Sequence, residues 1–423
     1  MLSAKWVREN LERVKDSLAR RETQVDLDSF LRWDEQRREC ISQVDYLKSK
    51  QNQVSCQIGQ LKAAGEDASA IIQQTQELAA RIRDLEQQRR EHEQQVRDFL
   101  LRLPNIVHPT VPEKKNIEIR RWGEPRISDT ALRNHQEIGE LLGILDFKAA
   151  AKIAGNGFVV CKGLGARLER ALINFMLDLH VRQGYTEIIP PFLTNTASTT
   201  GTAQLPKFRD DLYKCEKDDL YLIPTAEVPV TNLHADEILS EDALPLSYVA
   251  YTPCFRREAG AYGKRMQGMI RVHQFNKVEL VKFTTAESSY EQLEQLTLDA
   301  EKVLQLLDLP YRVVKLAGND LGFAAALGYD LEVWLPSQQR WMEISTCSNY
   351  ESYQSRRASI KYRKKNTGKA DYAHTLNGSG VAVGRCVVAI LENFQGEHGT
   401  TVHIPDKLQP YMDGVKCIGA KEV

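Results

Sequence analysis

The sequence predicts an α+β protein: a long antiparallel helical arm, then a domain on a mainly antiparallel sheet flanked by helices. Three observations carry this. Apolar residues recur at alternating spacings of three and four up to Leu103; a proline-rich segment, LPNIVHPTVP, follows; beyond it, amphipathic helices mix with strand-like runs separated by turn signals. The expected partition is a helical arm at 1–103, a linker at 104–115 and a second domain at 116–423. A chain of 423 residues is too long for one ordinary domain.

Within the arm, Thr75, Leu78, Ile82, Leu85, Arg89, His92, Val96, Phe99 and Leu103 form a heptad seam, imperfect at Arg89 and His92. A looser repeat runs through Ile41, Val44, Leu47, Val54, Ile58 and Leu61. Between them, in KAAGEDAS, Gly65 breaks the pattern and Asp67 or Ser69 can cap the next helix. Two such helices would reach roughly 50 Å at about 1.5 Å per residue. The arm carries as many carboxylates as cations but is rich in Arg and Gln, as in EQQRREHEQQVR. Its residues are open to two readings, a dimerisation or spacer coiled coil and an RNA-gripping arm. Pro104, Pro109 and Pro112 then end the helical pattern.

In the second domain, ARLERALINFMLDLHVRQG, SYEQLEQLTLDAEKVLQLLD and VAVGRCVVAILENFQ read as helices. YTEIIPPFL, LPLSYVAYTPCF, MIRVHQFNKVELVKF, GYDLEVWLP and RWMEISTCS read as strands. Strands that follow one another through hairpins favour an antiparallel sheet. Neither G-x-G-x-x-G after a strand nor G-x-x-x-x-G-K-[ST] is present, which argues against Rossmann or P-loop nucleotide binding. The eight cysteines are scattered singly, with no C-x-x-C, so neither a zinc site nor a disulfide framework is expected. No apolar run approaches the roughly 18 residues of a membrane span, and no secretory signal is visible, so the expected compartment is a reducing cytoplasm.

Formal net charge is −1, so any anion site must be local. One stretch supplies it: FRREAGAYGKRMQGMIR, from Phe255 to Arg271, holds five cations against Glu258. Flanked by strand-like segments, it reads as a hairpin that can close over a polyanion, or as a surface hairpin with solvated charges. Arg offers a bidentate fork suited to phosphate and carboxylate. Glu258, two residues beyond Arg256, is expected on the same face of an extended segment.

YTPCFRREAGAYGKRMQGMIRVHQFNKVEL resembles motif 2 of the class II aminoacyl-tRNA synthetases in its seryl form. GYTEIIPPFL resembles motif 1 and GVAVGRCVVAILENFQ motif 3; TAE (225–227), EIST (343–346) and NGSG (377–380) are also family-like. Six pieces in order, plus the arm, extend the resemblance over essentially the whole chain. It implies a cytoplasmic homodimer that activates serine with ATP to seryl-adenylate and transfers the seryl group to the 3′ end of tRNA(Ser). Whether tRNA(Sec) is also served stays open. It further implies that the arm grips the tRNA by shape and backbone.

The resemblance implies a role for each matching residue. Arg256 would bridge the serine carboxylate and the α-phosphate, Arg385 would hold the γ-phosphate, and Glu343 with Thr346 would hold a Mg²⁺ on the ATP phosphates; Arg256, Glu343 and Arg385 form the catalytic set. Glu258 would accept from the adenine amino group and Phe275 would stack on the ring, with Arg257, Val272, Ile344 and Ser345 completing the ATP site. Serine would meet Thr225, Ala226 and Glu227 at its amino group and Glu279, Asn377 and Ser379 around its side chain. A carboxylate in the apolar run NKVEL demands a partner. The loop tip, Lys264-Arg265-Met266-Gln267, departs from the commonest family pattern where the tRNA acceptor end is expected. Two rivals stand beside this reading. An enzyme loading an amino acid onto a carrier protein would lack the arm, and a non-catalytic RNA-binding paralogue would have lost Arg256, Arg385 or Glu343.

Overall fold

The computed structural model describes residues 1–128, 131–259 and 268–419. It divides into two compact units: Leu2–Ala19 with Thr23–Pro104, and Met1, Arg20–Glu22 and Asn105–Val423, the masked stretches aside.

The smaller unit is dominated by α1 (Leu27–Ala64) and α2 (Ser69–Arg102). Asp26 caps α1 by accepting from Ser29 N at 3.0 Å, and Gly65 ends it in the left-handed region (φ 74°). Asp67 accepts from the Ser69 N–H at 2.9 Å at the start of α2. Along the seam Val44, Ile82, Leu85 and Val96 are buried, while Arg89 and His92 are half-buried where the apolar pattern lapses. Phe30 and Phe99 stack with ring centroids 4.9 Å apart, and Lys48 pairs with Glu86 across the helices at 2.7 Å.

The larger unit is built on an eight-stranded sheet. In chain order its strands are β1 (Ile117–Trp122), β2 (Thr186–Glu187), β3 (Leu246–Phe255), β4 (Gln274–Thr284), β5 (Tyr311–Lys315), β6 (Leu327–Leu335), β7 (Arg340–Asn349) and β8 (His374–Ala382). They lie in the order β1-β5-β6-β7-β8-β4-β3-β2, antiparallel throughout except for β2 beside β3. The helices α3 (Leu164–Arg182), α4 (Ser289–Leu306) and α6 (Val383–Asn393) pack on it, and the short α5 (Tyr353–Ala358) adjoins β8. Their apolar faces share one core with the sheet, including Leu168, Met176, Leu296, Val303, Val387 and Leu391 against Val278, Leu280 and Leu331. Gly378 permits a close approach: a Cβ there would lie 2.5 Å from Leu296 Cδ2 and 2.7 Å from Cys347 Sγ.

Two local expectations change. YTEIIPPFL is not one strand: only Thr186–Glu187 joins the large sheet, and Leu193–Asn195 pairs instead with Leu220–Leu222. Pro190 and Pro191 stand between, and neither can donate to a ladder. The stretch after Pro104 is also tied down within the larger unit, with Asn105 N donating to Phe323 O at 3.0 Å and His108 N to Ala326 O at 2.9 Å.

Candidate active site

Strand periodicity builds the site. On β4, Phe275, Lys277 and Glu279 point to one face and line a cavity of about 710 Å³, while Val278 and Leu280 point into the core. The neighbouring β8 brings Asn377 and Ser379, and β7 brings Glu343, Ile344, Ser345 and Thr346. Thr225 and Glu227, at the start of the short helix Glu227–Thr231, close one side; Arg256, Glu258 and Val272 flank the hairpin, and Arg385 enters from α6. Fourteen of the sixteen residues expected at the site line this one cavity.

Its deep end is a wired polar pocket. Glu279, 1% exposed, accepts from Asn377 Nδ2 at 2.6 Å and forms an ion pair with Lys277. Lys277 Nζ also donates to Thr225 Oγ1 at 2.9 Å, and the Tyr350 hydroxyl donates to Asn377 Oδ1 at 2.6 Å. Glu227 accepts from Gln354, whose own Oε1 accepts from Thr375 at 2.6 Å. Burial pushes the Glu227 carboxyl up to about 7, with the Glu279 carboxylate adding to it. Two buried carboxylates against one ammonium leave room for a second small cation.

The open end is cationic. Arg256 donates from Nε to Pro224 O at 3.2 Å, its guanidinium 5.1 Å from the centre of the Phe275 ring. Arg385 donates from Nη1 to Glu343 O at 2.7 Å and to Glu343 Oε1 at 3.0 Å. Thr346 gives its hydroxyl proton to Asp330 at 2.7 Å, and Asp330 is pushed up to about 8 by burial, then by Glu343. Triphosphate charge and a hard cation are the chemistry such a surface takes.

Two expected residues stand aside. Arg257 turns its guanidinium over Tyr213, 5.5 Å from the ring centre, and Ala226 is buried behind the lining. Glu258 does line the cavity, paired with Arg271, but not from an extended segment: β3 ends at Phe255, and Glu258 is left-handed (φ 52°). Asp211 bends the chain there by accepting Arg257 N at its carbonyl (2.8 Å) and Ala259 N at its carboxylate (2.9 Å). The tip residues Lys264, Arg265, Met266 and Gln267 lie outside the described residues. Lys277, Tyr350 and Gln354 were not among the expected site residues. Lys277 had a signal, since N-K-V-E puts it two residues from Glu279 on the same strand face; Tyr350 and Gln354 had none.

Residues 1–107 match the seryl-tRNA synthetase N-terminal domain, and residues 212–394 match the tRNA synthetase class II core domain (G, H, P, S and T). The chain is 54% identical over 419 residues to the serine–tRNA ligase of Thermodesulfovibrio yellowstonii, covering 97% of this chain and 99% of that one. It is 54% identical over 424 residues to that of Alkaliphilus oremlandii, covering 99% and 100%. Among solved structures, the seryl-tRNA synthetase of Pyrococcus horikoshii complexed with ATP aligns at a TM-score of 0.94 and 38% identity, over 100% of both chains. The cytoplasmic serine–tRNA ligase of Naegleria fowleri in complex with AMP aligns at 0.88 and 30% identity, over 100% of this chain and 99% of that one.

Proposed function

The chain belongs to the seryl-tRNA synthetase family, and on that premise we propose that the cavity under Arg256 and Arg385 is where serine meets ATP. The protein is a serine–tRNA ligase. The observation that carries the placement is the wired pocket of Glu279, Asn377, Lys277 and Thr225 opening toward two arginines. Serine's hydroxyl and ammonium suit its acceptors, and the carboxylate is left facing Arg256.

In the first step a serine carboxylate oxygen attacks the α-phosphorus and pyrophosphate leaves. In the second, a hydroxyl of the terminal adenosine of tRNA attacks the acyl carbon and AMP leaves. The phosphorus step needs charge stabilisation and in-line positioning more than proton transfer. Arg256 spans the serine carboxylate and α-phosphate, Arg385 takes the γ-phosphate, Phe275 stacks on adenine, and Glu258 accepts from its amino group. The rejection of alanine follows from the unpaired acceptors it would leave behind.

The donor set also fits Mg²⁺. Thr346 has spent its proton on Asp330 and keeps lone pairs for a cation, beside the Glu343 carboxylate on the same strand. Glu343 and Thr346 would hold the ion, which when bound neutralises phosphate charge.

The arm reaches for tRNA(Ser) with Gln87, Arg90, Gln94, Gln95 and Arg97, all exposed on α2. Service of tRNA(Sec) as well would use the same surface. A homodimer is supported by the exposed apolar side chains Ile189 (84%) and Phe192 (38%) along a second cavity of about 600 Å³ beside α3, lined by both apolar and charged residues. Among the described residues no helix is long and apolar enough to cross a membrane, and a cytoplasmic setting suits eight free cysteines.

The deciding experiment is amino-acid-dependent ATP–pyrophosphate exchange across all twenty amino acids. Exchange with serine alone is expected; exchange with another amino acid and none with serine would overturn the placement.

A further inference from the structure

We propose that His135 is a positioning residue for ATP, holding the cavity wall Met269–Val272 in place through the Met269 backbone. His135 opens the short helix His135–Leu141, outside every family motif, and is 2% exposed. Its Nδ1 lies 2.9 Å from Oε1 of the fully buried Glu392, and its backbone N–H reaches the same oxygen at 3.2 Å. The other carboxylate oxygen accepts from Ser337 at 2.6 Å. A carboxylate at Nδ1 assigns the proton there and leaves Nε2 as an acceptor. Nε2 takes the Met269 N–H at 3.2 Å.

The fit admits nothing between ring and chain. Gly268 is left-handed (φ 56°), and a Cβ there would lie 2.0 Å from His135 Nε2. Immediately after it, Met269, Ile270, Arg271 and Val272 line the cavity. Arg385 holds the next residue, donating from Nε to Ile270 O at 3.3 Å. Arg385 and Glu392 lie seven residues apart on α6, two turns and hence one side. One helix therefore grips successive residues of the wall, at Ile270 directly and at Met269 through His135. A phosphate on Arg385 would draw on the same guanidinium that reaches Ile270, whereas the His135 hold uses no group assigned to the ligand.

The inference rests on ATP occupying this cavity, and two substitutions divide the imidazole's roles. His135→Asn keeps an amide N–H near the position of Nδ1 for Glu392 and drops the acceptor for Met269. His135→Gln carries its amide oxygen out to the position of Nε2. In serine-dependent ATP–pyrophosphate exchange, H135N should raise the KM for ATP about three- to tenfold, the range for one hydrogen bond. Its KM for serine should stay within about twofold, with Tm near wild type. H135Q should restore the KM for ATP. Equal rises in both KM values that track a fall in Tm, or no change in H135N, would overturn the proposal. Arg385→Ala in the same assay separates the two failures. If it raises the KM for ATP and H135N does not, only the role of His135 falls; if neither does, the ATP placement falls and takes this proposal with it.

Discussion

Asn377 donates from Nδ2 to Glu279 Oε1 at 2.6 Å, joining the two strands that floor the deep polar end of the cavity, where we propose serine binds. The contact crosses from β8 to β4 beside the Ser379–Glu279 register pair, and Lys277 satisfies the carboxylate from the other side. Glu279→Gln keeps the shape but leaves a buried ammonium facing an amide. Removing one partner of a buried pair costs about 3–5 kcal/mol, much of it from the charge left behind. The KM for serine should rise at least about 100-fold while the KM for ATP changes little. Exchange kinetics with each substrate varied in turn would show this, and a serine KM close to wild type would remove Glu279 from the pocket.

Glu227 predicts a pH dependence. Its carboxyl is raised from the ordinary 4.5 to about 7, by burial first and by Glu279 second. A raised folded value favours the protonated form, so this group's contribution to stability is full below about 4.5 and is lost as pH rises through about 7. Serine's ammonium asks for the opposite form. At saturating ATP, the KM for serine should therefore fall by up to about fivefold between pH 6 and 7 and level off near pH 8. Glu227→Gln should flatten that slope and make stability less dependent on pH between 5 and 7. A slope that survives the substitution would assign the titration elsewhere.

The Mg²⁺ site proposed at Glu343 has a direct readout. Glu343→Gln removes the charge while Arg385 can still donate to the Glu343 backbone carbonyl, where it now reaches 2.7 Å. The Mg²⁺ concentration giving half-maximal exchange should rise about tenfold or more, with the KM for serine near wild type. Asp330→Asn should act more weakly, because an amide oxygen still accepts the Thr346 hydroxyl. An unchanged Mg²⁺ titration in E343Q would show that the ion sits elsewhere.

Much of this was legible in the sequence because it follows from short periods. The apolar seam positions Ile82, Leu85 and Val96 are buried as spaced, and alternation along β4 puts Phe275 and Glu279 on one face. What was not legible depends on distant partners. Glu258 leaves the extended conformation because Asp211, far back in the chain, takes two successive-turn amides. Arg257 faces Tyr213 for the same reason of local curvature. Tyr350 and Gln354 join the pocket from the segment between β7 and β8, where no spacing rule points to a site. His135 carried no signal at all, since its partners Glu392 and Met269 are set by the fold.

The arm offers the sharpest separation of the two chemical steps. The larger unit has its own continuous core, and the residues lining the cavity all belong to it. Excision of residues 30–100 with a short flexible bridge therefore removes most of α1 and α2 without touching a side chain assigned to serine or ATP. Serine-dependent pyrophosphate exchange should stay within about an order of magnitude of wild type. Charging of tRNA(Ser) should collapse by several orders, since phosphate and sugar contacts fix the register of a bound nucleic acid. A milder variant, replacing the exposed Arg90 and Arg97 with Glu, should weaken charging more at low salt than at high salt while leaving exchange unchanged. Parallel loss of both steps in the excised protein, with intact folding by circular dichroism, would instead tie the arm to the chemistry of the cavity and end its assignment to RNA.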